Sequence, residues 1–197
     1  MPVSRSLPSP SAIADAIDSA SRALLTGDRV AADSAIHAIA HDPPQAEARV
    51  PITRAVSARI YLRDHCRCRY CGTCCIPWCV LRLFSTLWPA ELPYHAHGKT
   101  SSSHAAYWTI FASVDHVEAG STGGDWRSES NMVTACWSCQ SAKGAATLDR
   151  LGWIVREIDS ADSWDGLIGS YEQLWITAGS PDPSVHAPWI RAFRAAR

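Results

Sequence analysis

No apolar run in this 197-residue chain approaches the ~18 residues that a membrane-spanning helix needs, so no membrane association is expected. An apolar leader is also missing. The first residues are rich in Ser and Pro with Arg5 as the one basic group, so no secretory signal is read and a cytoplasmic setting is expected. Net charge is close to absent, at −1, which sets aside a chain that is basic throughout. There is no internal repeat, and the length suits one ordinary core, or a small core plus a metal-held module. Charged residues make up 19% against 47% hydrophobic, the balance of a folded protein and not of a disordered one.

Against those absences stand eight cysteines. In a chain without an export signal, thiols at this density point to metal binding before disulfides. The charge average also hides a pattern. Residues 49–70 hold six Arg against one Asp, a local +5, whereas residues 1–48 sum to −3 and residues 149–197 to −2. A phosphate-binding surface can be local. Arg59, Arg63, Arg67 and Arg69, running into the first cysteines, are therefore candidates for contact with a nucleic-acid backbone.

Residues 9–27 read as a helix: Ser9 caps it, Pro10 suits the first turn, Ile13, Ile17, Ala20 and Leu24 line one face, and Gly27 stops it. Asp28 caps a second helix through Ile36 and Ile39, ended by Pro43-Pro44. Together they predict an N-terminal helical hairpin over residues 1–50 with no chemistry in it. His37 and His41 have helical spacing but no third ligand nearby, and are read as surface residues. A third helix over 52–64 puts Ile52, Val56 and Ile60 on its buried stripe. Residues 73–108 show little periodicity and look like an insert. Alternation predicts a strand within 107–117, then a turn-rich stretch over 118–130 and a second strand over 132–135. A helix from Ser138 to Leu151, closed by Gly152, should follow. Helices around 167–177 and 187–196 would make a C-terminal extension over 156–197.

Cys68-x-x-Cys71 and Cys136-x-x-Cys139 are two knuckles of the kind that closes a four-thiolate zinc site. Two intervening residues let both sulfurs of a pair face one ion from a tight turn, at ~2.3 Å. A site closed by four thiolates has no open position, so such a zinc is structural and ties residue 68 to residue 139. The register is open to alternatives: Cys71-Gly72-Thr73-Cys74 is another possible pair, Cys66 lies close, and Cys74, Cys75 and Cys79 might join His95 or His97 in a second site.

Between the knuckles run Ser113-Val114-Asp115-His116-Val117, Gly123-Gly124 and Asn131-Met132-Val133-Thr134-Ala135-Cys136. With Arg63-Asp64, Cys-Arg-Tyr-Cys-Gly at 68–72 and Lys143-Gly144, this order resembles the HNH endonuclease family in its zinc-containing ββα-metal form, over roughly residues 60–155. The resemblance implies an α+β fold: a small ββα-metal module over 51–155, with the insert at about 73–108, flanked by N- and C-terminal helices. It implies that Asp115 binds a catalytic Mg²⁺ or Mn²⁺, that His116 is the general base and that Asn131 holds the loop and the histidine in place. The residue after the second knuckle, Asn or His in the family, completes the metal site and is Gln140 here, a departure that lengthens the side chain by one methylene. Lys143, one helical turn on, is a further candidate for phosphate contact, with Trp126 and Trp137 as candidates to stack on a base. The implied activity is metal-dependent hydrolysis of nucleic-acid phosphodiester bonds, DNA before RNA. The alternative is a non-catalytic zinc-held module that binds DNA or a protein. A thiol redox protein is disfavoured, because its Cys-x-x-Cys needs a βαβ setting that the sequence does not offer.

Overall fold

The computed structural model describes residues 9–40, 51–159 and 161–197. Its chain separates into two compact units, residues 1–49 and 50–197. Among the described residues no helix is long and apolar enough to cross a membrane.

In the first unit, helix α1 (Pro10–Leu25) is capped by the Ser9 hydroxyl and α2 (Arg29–Ala38) by the Asp28 carboxylate. Gly27 makes the turn at φ +77°. Ala20 and Ala32 are buried, but the wider stripe is not: Ile17 is 51% and Leu24 53% exposed. Two short helices bury only the small residues along their seam. The expected ends at Pro43-Pro44, and His41, lie outside the described residues. His37 spends Nδ1 on the Asp33 carbonyl at 2.7 Å.

The second unit is mixed α and β. Helix α3 (Arg54–Arg63) starts from the Thr53 cap, leads into the first knuckle and packs on α9 (Pro183–Ala196). A two-residue strand β1 (Ile76–Pro77) and helix α4 (Trp78–Leu87) occupy the first part of the expected insert, with a short α5 (Ala106–Thr109) later in it. β1 pairs in parallel with β2 (Phe111–His116), which pairs antiparallel with β3 (Met132–Cys136), so β2 is central. The β2–β3 register runs without interruption from Ala112↔Cys136 to His116↔Met132. Asp115 and His116 therefore share no bulge; His116 is the last residue of the strand.

The expected strands match this hairpin closely, and three helices differ from expectation. α4 escaped the sequence because it is apolar on two sides. Cys79, Val80 and Leu83 face the main core, while Leu81 packs with Ala106 and Tyr107 in a second cluster, which erases a one-sided stripe. The single helix expected over 138–151 is two: α6 (Trp137–Lys143) stops at Gly144, φ +52° and ψ −125°, and α7 (Leu148–Leu151) restarts from the Thr147 cap. α9 begins at Pro183, earlier than expected, because Pro188 reads as a helix start although here it lies inside the helix. α8 (Ile168–Thr177) and α9 close the core over Tyr61, Val80, Leu83, Ala112 and Ala135. Val80 and Leu83 each contribute about 1.5–3 kcal/mol by leaving water.

Where α8 meets α9, Tyr171 and His186 are both fully buried, with the Tyr171 hydroxyl 2.5 Å from His186 Nδ1. Desolvation depresses the pKa of His186 below its ordinary 6.5, with Asp182 opposing and Arg82 adding to the shift. A base kept neutral by the fold stabilises it fully above the unfolded value, and that stability is lost as pH falls below about 6.5. Thermal melts at pH 7.5 and 5.5 should therefore show a loss of stability on acidification that is smaller in His186→Gln than in the parent. An equal loss in both proteins would contradict this.

Candidate metal centre and hydrolytic site

The two knuckles meet. Sulfur atoms of Cys68, Cys71, Cys136 and Cys139 all lie within 4.8 Å of one another, and Cys71 Sγ is 3.8 Å from Cys136 Sγ. Tetrahedral bonds of ~2.3 Å put ligand sulfurs about 3.8 Å apart, so the four can hold one metal ion. Local backbone explains the first pair: Gly72 N–H bonds the Cys68 carbonyl at 2.8 Å, and Gly72 takes φ +82° to let the chain return. The second pair opens a helix, with Cys136 capping α6 and its sulfur accepting from Cys139 N–H at 3.4 Å. The Cys68 thiol is held low chiefly by its hydrogen bond from Cys136, which is pushed up for the same reason.

The alternative registers are not used. Cys74 sulfur accepts from the Arg67 guanidinium at 2.7 Å, while Cys66, Cys75 and Cys79 are fully buried. Burial pushes the Cys79 thiol up to about 12. Among the described residues no second group of cysteine, histidine and carboxylate side chains comes together, so His95 and His97 join no metal site.

The arginine stripe is built into the fold. Asp64 is fully buried and accepts from Arg63 Nε at 2.9 Å, Arg69 Nη1 at 2.9 Å and the Thr134 N–H at 2.7 Å. It thereby joins the end of α3, the first knuckle and β3. Arg59 pairs with Glu129, and Arg67 with Asp162 at 2.9 Å. Four guanidinium groups thus meet three carboxylates, and since Asp64 is already counted in the local +5, Glu129 and Asp162 lower it to +3. Sequence reasoning missed Asp64, Glu129 and Asp162 as partners. Only Asp64 carried a signal, its place between Arg63 and Arg69.

Asp115 and His116 end β2, Asn131 directly precedes β3, and Gln140 lies on α6, which contacts β2. His116 is half-buried, and its Nε2 lies 2.9 Å from the Trp126 carbonyl. Asn131 braces the loop between the strands: its amide donates to the Glu118 and Asp125 carbonyls at 2.9 and 3.0 Å and accepts from Glu118 N–H at 2.9 Å. It holds the residue beside Trp126, and through it the acceptor that His116 uses. Gly124 is required in this loop, because a Cβ there would lie 2.1 Å from the Glu118 carbonyl oxygen.

Lys143 is not where a phosphate contact would be. It is 2% exposed, and its ammonium sits 3.1 Å from Asp115 Oδ2 and 2.7 Å from the His116 carbonyl. The same Asp115 oxygen accepts from the Tyr70 hydroxyl at 2.6 Å, and burial raises the pKa of that phenol, which keeps it a donor. Gln140 turns its amide nitrogen to the Val114 carbonyl at 3.2 Å. Trp137 stacks on Phe111, and Arg127 lies over the Trp126 ring.

Two measurements test this arrangement. Elemental analysis of purified protein should return one thiolate-bound metal ion per chain, and Cys68→Ser should lose it together with more than about 3 kcal/mol of unfolding free energy. Asp64→Ala, which strands two cations and an N–H, should cost roughly 3 kcal/mol in urea denaturation without changing metal content.

No family model, curated protein or solved structure matches the chain, and the reading of its site therefore rests on its own residues.

Proposed function

We propose that residues 50–197 form an HNH-type hydrolase that cleaves phosphodiester bonds of nucleic acid, with a structural zinc in the four-cysteine cluster. The observation that carries the reading is the Nε2 contact of His116. A carbonyl oxygen only accepts, so Nε2 carries the proton and a neutral ring keeps the lone pair on Nδ1. A histidine held in one tautomer by an acceptor, at the mouth of a strand, has the form of a general base. The order β2, β3, α6 with thiolates at the strand–helix junction, and a loop braced by Asn131, supports the same assignment. Four thiolates at tetrahedral spacing suit zinc and leave it no open position.

In this reaction a water oxygen attacks phosphorus while His116 Nδ1 takes its proton. The bond from phosphorus to the 3′ oxygen then breaks, and the departing oxygen is protonated from solvent. Asn131 acts by positioning the loop that orients His116. Arg59 and Arg63, with side chains 47% and 41% exposed, are the members of the arginine stripe best able to meet a phosphate backbone.

A divalent ion bound by Asp115 and Gln140 would supply Lewis-acid help, but the donors do not fit one as they stand. Asp115 Oδ2 already serves Tyr70 and Lys143, so an ion bound there would lie beside a buried ammonium. A +2 ion and an ammonium about 5 Å apart repel by roughly 7 kcal/mol at an effective dielectric of about 20. The same pair favours a second reading, a zinc-held module that binds nucleic acid or protein without cutting.

Incubating the protein with supercoiled plasmid, single-stranded DNA and RNA, with and without Mg²⁺ or Mn²⁺, separates the two. Cleavage that falls about 100-fold or more in His116→Ala is the expected result. Wild type and variant equally inert on every substrate would leave the binding module.

A further inference from the structure

The least ordinary charge in the molecule is the ammonium of Lys143. Its side chain has no exposed surface, and it ends α6 where Gly144 turns the chain away. Its recorded partners are Asp115 Oδ2 at 3.1 Å and the His116 carbonyl at 2.7 Å. The same oxygen, Oδ2, also accepts from the hydroxyl of Tyr70, a residue that is 6% exposed and packed against Trp153, at 2.6 Å. Asp115 therefore has its charge matched from within the protein.

We infer that Lys143 is the resident cation of Asp115, and that a divalent ion taken up by this carboxylate displaces the ammonium. Three features of the site lead there. A buried ammonium with no route to water stays against its counter-charge. The His116 carbonyl at 2.7 Å gives the ammonium a second acceptor beside the carboxylate. Nor do three or more acidic, histidine or cysteine ligands gather around Asp115 among the described residues. Lys143 thus sets how much divalent ion the site demands. Removing it should turn Asp115 into an open, oxygen-donor seat for Mg²⁺ or Mn²⁺.

This inference rests on reading Asp115 as part of the hydrolytic site, but cation binding is measured without nucleic acid, so either idea can fail alone. The zinc-loaded full chain, Lys143→Gln, the volume-matched Lys143→Met, and each combined with Asp115→Asn would be titrated with Mn²⁺ while free ion is followed by electron paramagnetic resonance. Retained zinc checks that each variant folds. Mn²⁺ affinity should rise at least ten-fold in the Lys143 variants and fall back when Asp115→Asn is added.

A second measurement needs no variant. The chain has two lysines, Lys99, which is exposed, and Lys143. Amine acylation read by peptide mass spectrometry should mark Lys99 and spare Lys143, and Mn²⁺ bound through Asp115 should expose Lys143 to the reagent. Equal Mn²⁺ affinity with and without Lys143 would overturn the inference. So would Mn²⁺ bound through Asp115 while Lys143 stays protected.

Discussion

Four sulfur atoms, two from each of two short turns, fix where the rest of residues 50–197 can stand. Their mutual separations, within 4.8 Å, hold the first knuckle against the junction of β3 and α6. That junction sets the register of β3 on β2, and the register puts His116 at the strand end. The buried carboxylate of Asp64 secures the same corner from the other side, through α3 and Thr134. A small three-stranded sheet has little core of its own. Here the cysteine cluster and one carboxylate join its third strand to α3 and to the first knuckle.

How much of this was legible in the sequence depended on whether the cause was local. The hairpin helices, with Ser9 and Asp28 as caps, follow from neighbouring residues alone, and so do the paired knuckles. β2 and β3 were legible because alternation and turn residues frame them. α4 was not, since a helix buried on two sides has no polar face to reveal its period. Nor was the break at Gly144, because helix propensity says nothing about a lysine that must turn inward. The arginines are the clearest case. Their clustering was visible, but their partners Glu129 and Asp162 lie far along the chain, so a run of charge that suggested a phosphate-binding face proves to be paired with carboxylates of the fold.

At the candidate site the residues expected from the resemblance lie on adjoining elements, each with partners of its own. Asp115, His116 and Asn131 share one loop-and-strand corner, and Gln140 reaches the same strand. What the sequence could not convey is that Lys143 and Tyr70 would converge on one oxygen of Asp115. A buried ion pair of this kind adds little net stability, because desolvation offsets much of the attraction. Its effect is on geometry, since it locks a carboxylate in place and withholds its charge.

The acceptor that orients His116 is a backbone oxygen of Trp126, and every amino acid carries that atom. Position 126 could therefore drift through many side chains over evolutionary time without the imidazole losing its partner. Point substitution cannot delete such an acceptor; only a change in the path of the chain can. The evolutionary constraint accordingly shifts to residues that shape that path, above all Gly124, where even one added carbon collides with Glu118, and Asn131, whose amide bridges the loop. Variation among descendants of this chain would then be wide at the residue that contacts the histidine and narrow at residues that never touch it.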